Sequence, residues 1–364
     1  MNVRQMMALA GGFLLVYLVL TLTHRPEITG EQFSPEERDP LSGVQRMQRG
    51  ATSPMMDGYS LLPDENTPID APRSVERLAA MRRSGASWVA LRPVLLQATG
   101  SADEIESVPQ ITEWEGIVRD AHQAGLQVLL RPLVVPRDGT SREFVSPGDS
   151  DAWFESYQRA MNPYLKLARQ ERVEVVCLGS NLGQLQNNPG WIRLIQEARR
   201  TYKGLLTYAA TSNPETGYSA VSFWDELDLV GIDAFVPLSQ QVDPTVDELE
   251  RGWERFGEEL DRWHRVRARP PILLTAIGCP AVRGGAANPL GAAIDGAEDL
   301  TLPARVAEAF YRALGKKPWL QGALWHTWSG GGPLQKPYCA QGRPLETSLE
   351  TAFKARYGTP KKTR

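Results

Sequence analysis

Cysteine and histidine are scarce in this chain, with three of the first and four of the second among 364 residues. Cys177, Cys279 and Cys339 show no Cys-x-x-Cys spacing and the histidines are scattered, so a dedicated zinc site is not expected, nor is any other metal or cofactor. An excess of charge of one sign is also missing. Forty basic residues against 43 acidic ones leave a formal net charge of −3, and no long basic block is interleaved with aromatics, so there is no nucleic-acid footprint. The last residues, Lys361-Lys362-Thr363-Arg364, form a short solvated tail. No Gly-x-Gly-x-x-Gly turn follows the first predicted strand, which speaks against an open dinucleotide-binding sheet. What is present, 42% hydrophobic and 23% charged residues, suits one large α/β domain plus an extension and excludes disorder as the main state.

One stretch has no charge at all. Between Arg4 and His24, the run from Met6 to Leu22 is almost wholly apolar, and as a helix rising about 1.5 Å per residue it spans a thin hydrocarbon core. Small residues at a cleavage site are lacking apart from Thr21 and Thr23. Residues 1–24 are therefore expected to be an uncleaved transmembrane anchor, with a cleaved signal peptide as the alternative. Either way the rest of the chain lies outside the cytoplasm, periplasmic or extracellular. Residues 25–53 turn polar and rich in Pro, Glu, Gln, Gly and Arg, as a linker does. A globular domain is expected over 54–358 and a basic tail over 359–364.

After Ser53, short apolar runs alternate with helical patterns. The runs are Met55 to Leu61, Trp88 to Val94, Gln127 to Val135, Val173 to Leu178, Leu205 to Ala209, Leu229 to Phe235, Ile272 to Ile277 and Gly322 to Trp325. Each is continuous rather than alternating, as buried parallel strands are. Between them, Leu249, Trp253, Phe256, Leu260 and Trp263 recur at helical steps behind a capping box, Thr245 to Glu248. Another helix, Asp151 to Glu171, is expected to kink at Pro163. Further helices are expected near 73–84, 111–124, 191–202, 302–314 and 346–356. This alternation predicts a (β/α)8 barrel, whose reacting groups stand at the C-terminal strand ends.

Those ends present Asp57 and Tyr59, Arg92 and Gln97, then Arg131, Arg137 and Asp138. The later ones present Ser180 and Asn181, then Thr211, Ser212 and Asn213, then Asp233 and Phe235. The seventh strand ends in Thr275-Ala276-Ile277-Gly278-Cys279 and the eighth in Trp325-His326-Thr327-Trp328. This rim is polar and aromatic but poor in acids.

From about Trp88 to Gly342 the chain resembles glycoside hydrolase family 113, the β-mannanase-like barrels. The residues that carry the likeness are Trp191-Ile192-Arg193-Leu194-Ile195, Gly204-Leu205-Leu206-Thr207-Tyr208-Ala209-Ala210 and the segment from Phe223-Trp224-Asp225-Glu226 through Gly231-Ile232-Asp233-Ala234-Phe235. The resemblance implies a (β/α)8 fold and a place among sugar enzymes. It also implies a Glu acid/base after the fourth strand, in Gly-Thr-Glu-Leu, and a Glu nucleophile ending the seventh, in Thr-Glu-Ile-Gly. Here those settings are Gly179-Ser180-Asn181-Leu182 and Thr275-Ala276-Ile277-Gly278, so both carboxylates are missing. Retaining hydrolysis needs two carboxyl groups roughly 5 Å apart. Asn181 has no proton to relay, and Ala276 has no nucleophile. A shift of one position brings up Leu182 and still no acid. The family's Lys-Pro-His is Arg131-Pro132-Leu133, its loop Trp is Ser141, and its Tyr after the seventh strand is Cys279.

Several side chains remain as ligand-binding candidates: Ser180, Asn181, Asn213, Asp233, Phe235, Trp325, His326 and Trp328. Asp233 reads either as a lone acid or as a structural acceptor. Trp325 and Trp328 would stack on sugar faces or pack the wall, and His326 would touch a ligand or fill space. Cys279 and Cys339 follow adjacent strands and could bridge in an exported domain. Two Gly-rich loops, 283–293 and 329–333, suggest lids or docking segments. The expected function is a membrane-tethered, non-hydrolytic domain that binds a glycan, mannan-like or another β-glycan, or an envelope protein partner, at the former cleft. The alternatives are an active glycosidase using a displaced acid such as Asp233, and a structural subunit of an envelope or polysaccharide assembly.

Overall fold

The computed structural model describes residues 55–62, 71–106, 111–266, 269–291, 296–329 and 336–357. The expected anchor, linker and basic tail lie outside these residues, as do 292–293 of the first Gly-rich loop and 330–333 of the second. Among the described residues no helix is long and apolar enough to cross a membrane.

Eight parallel strands close into a barrel. They are β1 (Gly58–Leu61), β2 (Trp88–Leu91), β5 (Gln127–Leu130), β7 (Val175–Ser180), β8 (Leu205–Thr211), β9 (Leu229–Ala234), β10 (Ile272–Ile277) and β11 (Leu320–Trp325). Their order around the barrel is β1-β11-β10-β9-β8-β7-β5-β2. The helices that wrap it are α1 (Ala71–Arg83), α2 (Ile111–Gln123), α3 (Ser150–Gln170), α4 (Gly190–Thr201), α5 (Val246–Arg265), α6 (Leu302–Ala313) and α7 (Pro344–Tyr357). Thr245 caps α5 as expected, accepting from the Glu248 N–H while the Glu248 carboxylate accepts from the Thr245 N–H. The helix α3 continues through Pro163 without a break.

Two expected runs are too long. Trp88 to Val94 and Gln127 to Val135 each break after a dipeptide Arg-Pro, at Arg92-Pro93 and Arg131-Pro132, because proline offers no N–H to a ladder. Beyond the breaks the chain forms β3 (Val94–Gln97) and β6 (Leu133–Pro136), which pair with each other and, through β4 (Ile105–Glu106), make a separate three-stranded sheet.

The core divides as the period of two along a strand requires. Met56, Trp88, Ala90, Leu129, Val175, Cys177, Leu205, Leu229, Leu273 and Leu324 form one buried cluster inside the barrel. Alternate residues such as Val89, Leu91, Val128, Leu130, Val176 and Leu178 join a second cluster against the helices. Above the interior cluster the next inward positions are polar. There the barrel ceases to be a core and becomes a site.

Candidate functional site

The alternation that turns Leu129 inward also turns Arg131 inward, and this guanidinium is wholly buried. It donates from Nε to Ser180 Oγ at 2.8 Å, from Nη1 to Thr275 O at 3.1 Å and from Nη2 to Asp233 Oδ2 at 2.6 Å. Asp233, 7% exposed, also accepts from Thr275 Oγ1 at 2.8 Å and Asn181 Nδ2 at 2.8 Å. Four strands, β5, β7, β9 and β10, thus meet on one ion pair. Burial alone would push the Asp233 carboxyl up, but the Arg131 charge and the bonds from Arg131, Thr275 and Asn181 hold it below the usual carboxylate range. Burial opposes the Arg131 charge as well, and Asp233 overcomes it, so that pKa is raised.

Local backbone geometry aims these groups. The register of β7 against β8 shifts between Cys177 and Ser180, a bulge of the kind that re-aims side chains near a strand end. Gly179 makes the shift feasible: a Cβ there would lie 2.4 Å from Cη2 of Trp191 on α4. Asn181 follows with φ at 54°, a left-handed conformation that asparagine tolerates better than most side chains. The ladder of β10 on β9 slips too, between Leu274 and Ala276, leaving Ala276 opposite Asp233. Asn181, Ala276, Ser180 and Asp233 are therefore brought together. The Oδ1 of Asn181 is buried and has no hydrogen-bond partner.

A second group lies beside the first. Arg92, just past β2 and beside Arg131 just past β5, donates from Nη1 to His326 Nδ1 at 3.0 Å. Arg142 enters from the loop after β6, in the short turn Arg142–Phe144. Both arginines are half-buried, each has a buried Nε with no partner, and neither has a carboxylate partner among the described residues. Burial first, then the charges of Arg131 and Arg142, pulls the Arg92 guanidinium down to about 9. Burial and Arg131 lower Arg142 as well. His326 is kept neutral, well below its ordinary value, by burial and then by Arg92, with Arg131 and Arg142 adding to the effect. Asp233 is the carboxylate felt by all of these cations.

Other expected site residues go elsewhere. Trp325 is wholly buried on the outer side of the wall, against Phe310 and Tyr311, and Trp328 is wholly buried edge-on to Tyr59, so neither ring is available to a sugar. Asn213 is exposed, with Oδ1 accepting from the Glu215 and Thr216 N–H groups of its own turn. Asp57 precedes β1 at the opposite end of the barrel, where it accepts from Ala323 N and Arg356. Tyr59 faces the helices and reaches Ser84. The Cys279–Cys339 bridge is not formed: Cys279 is a buried free thiol whose Sγ lies 3.7 Å from Pro280 O. The first Gly-rich loop is tied down, Gly284 N to Val242 O and Leu238 N to Ala286 O.

Aromatic surface at the mouth comes instead from half-buried Phe235, whose ring meets the edges of His326 at 5.8 Å and Tyr338 at 6.0 Å. Sequence reasoning missed Tyr338 and Arg142, which arrive on loops with no periodic signal. The repeated Arg-Pro dipeptide could have singled out Arg92 and Arg131 as a pair. Two surface hollows, of about 630 and 530 Å3, lie by α3 and α4 on the outside and hold no unpartnered buried side-chain atom, unlike the mouth. Among the described residues no three His, Cys, Asp or Glu side chains converge as metal ligands.

The model of Glycoside Hydrolase Family 113 matches residues 65–339. A family 113 β-mannanase from Alicyclobacillus acidocaldarius in complex with ManMIm is similar in structure, with TM-score 0.72 and 25% identity over 84% of this chain and 98% of that one. A second family 113 structure, a β-1,4-mannanase complex, gives TM-score 0.70 at 24% identity over 83% of this chain and 100% of that one. A GH5_18 protein from Streptomyces cattleya in complex with Manβ1-4GlcNAc is alike in fold only, with TM-score 0.61 and 13% identity over 85% of this chain and 82% of that one. No curated protein matches the chain.

Proposed function

Because the chain belongs to glycoside hydrolase family 113, we propose that it keeps the family's barrel as a non-hydrolytic domain that binds a glycan at the former cleft. The observation that carries this reading is the condition of Asp233. A general acid must hold a proton near neutral pH, and a nucleophile must have a free, charged oxygen. Asp233 is ionised by its surroundings, neutralised by Arg131 at 2.6 Å and hydrogen-bonded on both oxygens. The displaced-acid route therefore finds no support, and the two positions that the family resemblance gives to glutamates hold Asn181 and Ala276.

The similar structures include β-mannanases, one of them with ManMIm bound. On that likeness we take the ligand to be mannan-like or another β-glycan. A protein partner of the envelope at the same mouth remains part of the proposal. We also propose that residues 6–22 tether the domain, 54–358, outside the cytoplasm through the linker 25–53.

The test is a turnover and binding screen of the full chain in detergent against β-mannan, mannooligosaccharides and related β-glycans. The expected result is saturable binding with no release of reducing ends. Turnover by the unsubstituted chain would overturn the non-hydrolytic reading, its loss in an Asp233→Asn variant that still folds would assign it to Asp233, and no binding to any glycan would favour a structural subunit.

A further inference from the structure

We propose that the barrel mouth recognises an anionic saccharide, one bearing a carboxylate or phosphate group, with Arg92 and Arg142 holding the anion and Asn181 meeting a sugar hydroxyl. The inference rests on the glycan-binding reading above and names the class of glycan.

Arg131 pairs with Asp233 at 2.6 Å, Arg92 stands beside Arg131 just past the neighbouring strand, and the turn that carries Arg142 packs on the segment after Asn181, where a Cβ on Gly183 would lie 2.9 Å from Glu143 O. Asp233 is the carboxylate whose charge reaches all three guanidinium groups. Arg131 accounts for that carboxylate, taking Asp233 Oδ2 at 2.6 Å and sharing it with Asn181. What is left is a pair of cations without a counter-charge. Neither Arg92 nor Arg142 forms an ion pair among the described residues, and the one side-chain bond of Arg92 goes to a neutral imidazole nitrogen of His326. Like charges held together in a partly dry site repel, and an anion placed between them removes that cost.

The unpartnered atoms sharpen the chemistry. The Nε groups of Arg92 and Arg142 are donors wanting an acceptor, and Asn181 Oδ1 is an acceptor wanting a donor. A bare anion could serve only the arginines. A sugar carrying an acidic group brings anionic oxygens for planar guanidinium forks and hydroxyls for Asn181 in one molecule. Phe235 and Tyr338, half-buried beside His326, add apolar edges for a pyranose face.

The backbone builds this arrangement rather than leaving it to chance on flexible side chains. Each of two neighbouring strands is followed by Arg-Pro, so Arg92 and Arg131 come directly after the paired residues Leu91 and Leu130, at matching heights. The prolines then turn the chain into β3 and β6, and the loop after β6 carries Arg142 back. A mouth organised for a glycosidase reaction gathers carboxylates around a forming cation. This one gathers cations, and its electrostatic sense is reversed.

The test compares three probes on the full chain in detergent by calorimetry: an oligouronate, a sugar phosphate and a neutral mannooligosaccharide, with inorganic phosphate as a fourth arm. One charged saccharide is expected to bind at least about tenfold more tightly than the neutral one at low ionic strength, with the preference shrinking as salt is added. Which of the two does so identifies the anion. Arg142→Gln and Arg92→Gln should each weaken that binding by about tenfold or more and leave the neutral probe within about twofold, while Arg142→Lys, keeping charge without the fork, falls between. Arg142 sits on a short surface turn, so its variant remains informative if Arg92→Gln fails to fold. Equal affinity for charged and neutral probes, or indifference to both substitutions, would overturn the inference and leave the non-hydrolytic reading standing. Inorganic phosphate binding as tightly as the saccharides would overturn the sugar part. Turnover of the neutral probe in the same samples would instead overturn the reading beneath it.

Discussion

Removing the charge of Asp233 while keeping its shape leaves Arg131 buried without a counter-ion. Asp233→Asn is therefore expected to destabilise the fold by about 3–5 kcal/mol, the range for breaking one side of a buried pair. Urea unfolding measures it, and a loss below about 1 kcal/mol would mean that the ion pair does not organise the mouth. His326 gives the mouth a pH signature. Its ring stays neutral in the fold, while in the unfolded chain it takes a proton below about pH 6.5, so stability declines as pH drops below that value. Asp233, with its pKa depressed, contributes fully above about pH 4 and is lost only as pH falls through its lowered value. His122 acts with the opposite sign, since its hydrogen bond from the ring to Glu174 raises its pKa and its contribution fades as pH rises. Comparison with His326→Gln isolates the first effect: urea midpoints taken between about pH 7 and 5 should fall less steeply in the variant. An identical slope would place the His326 ring in water.

At the level of single elements, α5 and β7 show opposite relations between sequence and shape. The start of α5 is local. Thr245 and Glu248 satisfy each other's N–H groups within one turn, and Thr245→Ala should cost about 1 kcal/mol in a denaturant titration with little change in slope. The end of β7 is not local. Gly179 is required by Trp191, which sits on the next helix, and Gly179→Ala must displace either that ring or the bulge that turns Ser180 onto Arg131. A loss of about 1–3 kcal/mol is expected, with weakened glycan binding; an unchanged midpoint would show that Trp191 has room to move. The same distinction explains the two overlong strand predictions. Apolar runs continue past Arg92-Pro93 and Arg131-Pro132, so hydrophobicity alone joined β2 to β3 and β5 to β6, although proline at each junction marked where the ladders part.

For the whole molecule, the expectation still to be measured concerns where the barrel resides. With residues 6–22 as an anchor, the full chain should pellet with membranes and its barrel should be cleaved by protease added to cells whose outer envelope is opened but whose cytoplasmic membrane is intact, while deletion of residues 1–24 should release it from the membrane fraction. Full protection of the barrel there, with a cytoplasmic marker protein equally protected and a known exported one cleaved, would contradict export. The barrel itself was legible in the order of residues, because buried parallel strands and amphipathic helices each need a period that a sequence displays directly. Legible too were the capping box on α5 and, through the resemblance, Asn181 and Ala276 at the strand ends. Which way a side chain points near a strand end was not. Trp325 and Trp328 have the composition of a sugar platform, yet both lie within the wall, while Tyr338 and Arg142 reach the mouth from loops. The charge of the mouth is likewise invisible along the chain, where basic and acidic residues nearly balance at −3. The alternating scaffold was determined by the sequence alone, since period is a one-dimensional property. That Arg92, Arg131 and Arg142 converge around a single neutralised Asp233 was decided only in three dimensions, because strand closure, two register shifts and a returning loop bring together residues far apart in the chain.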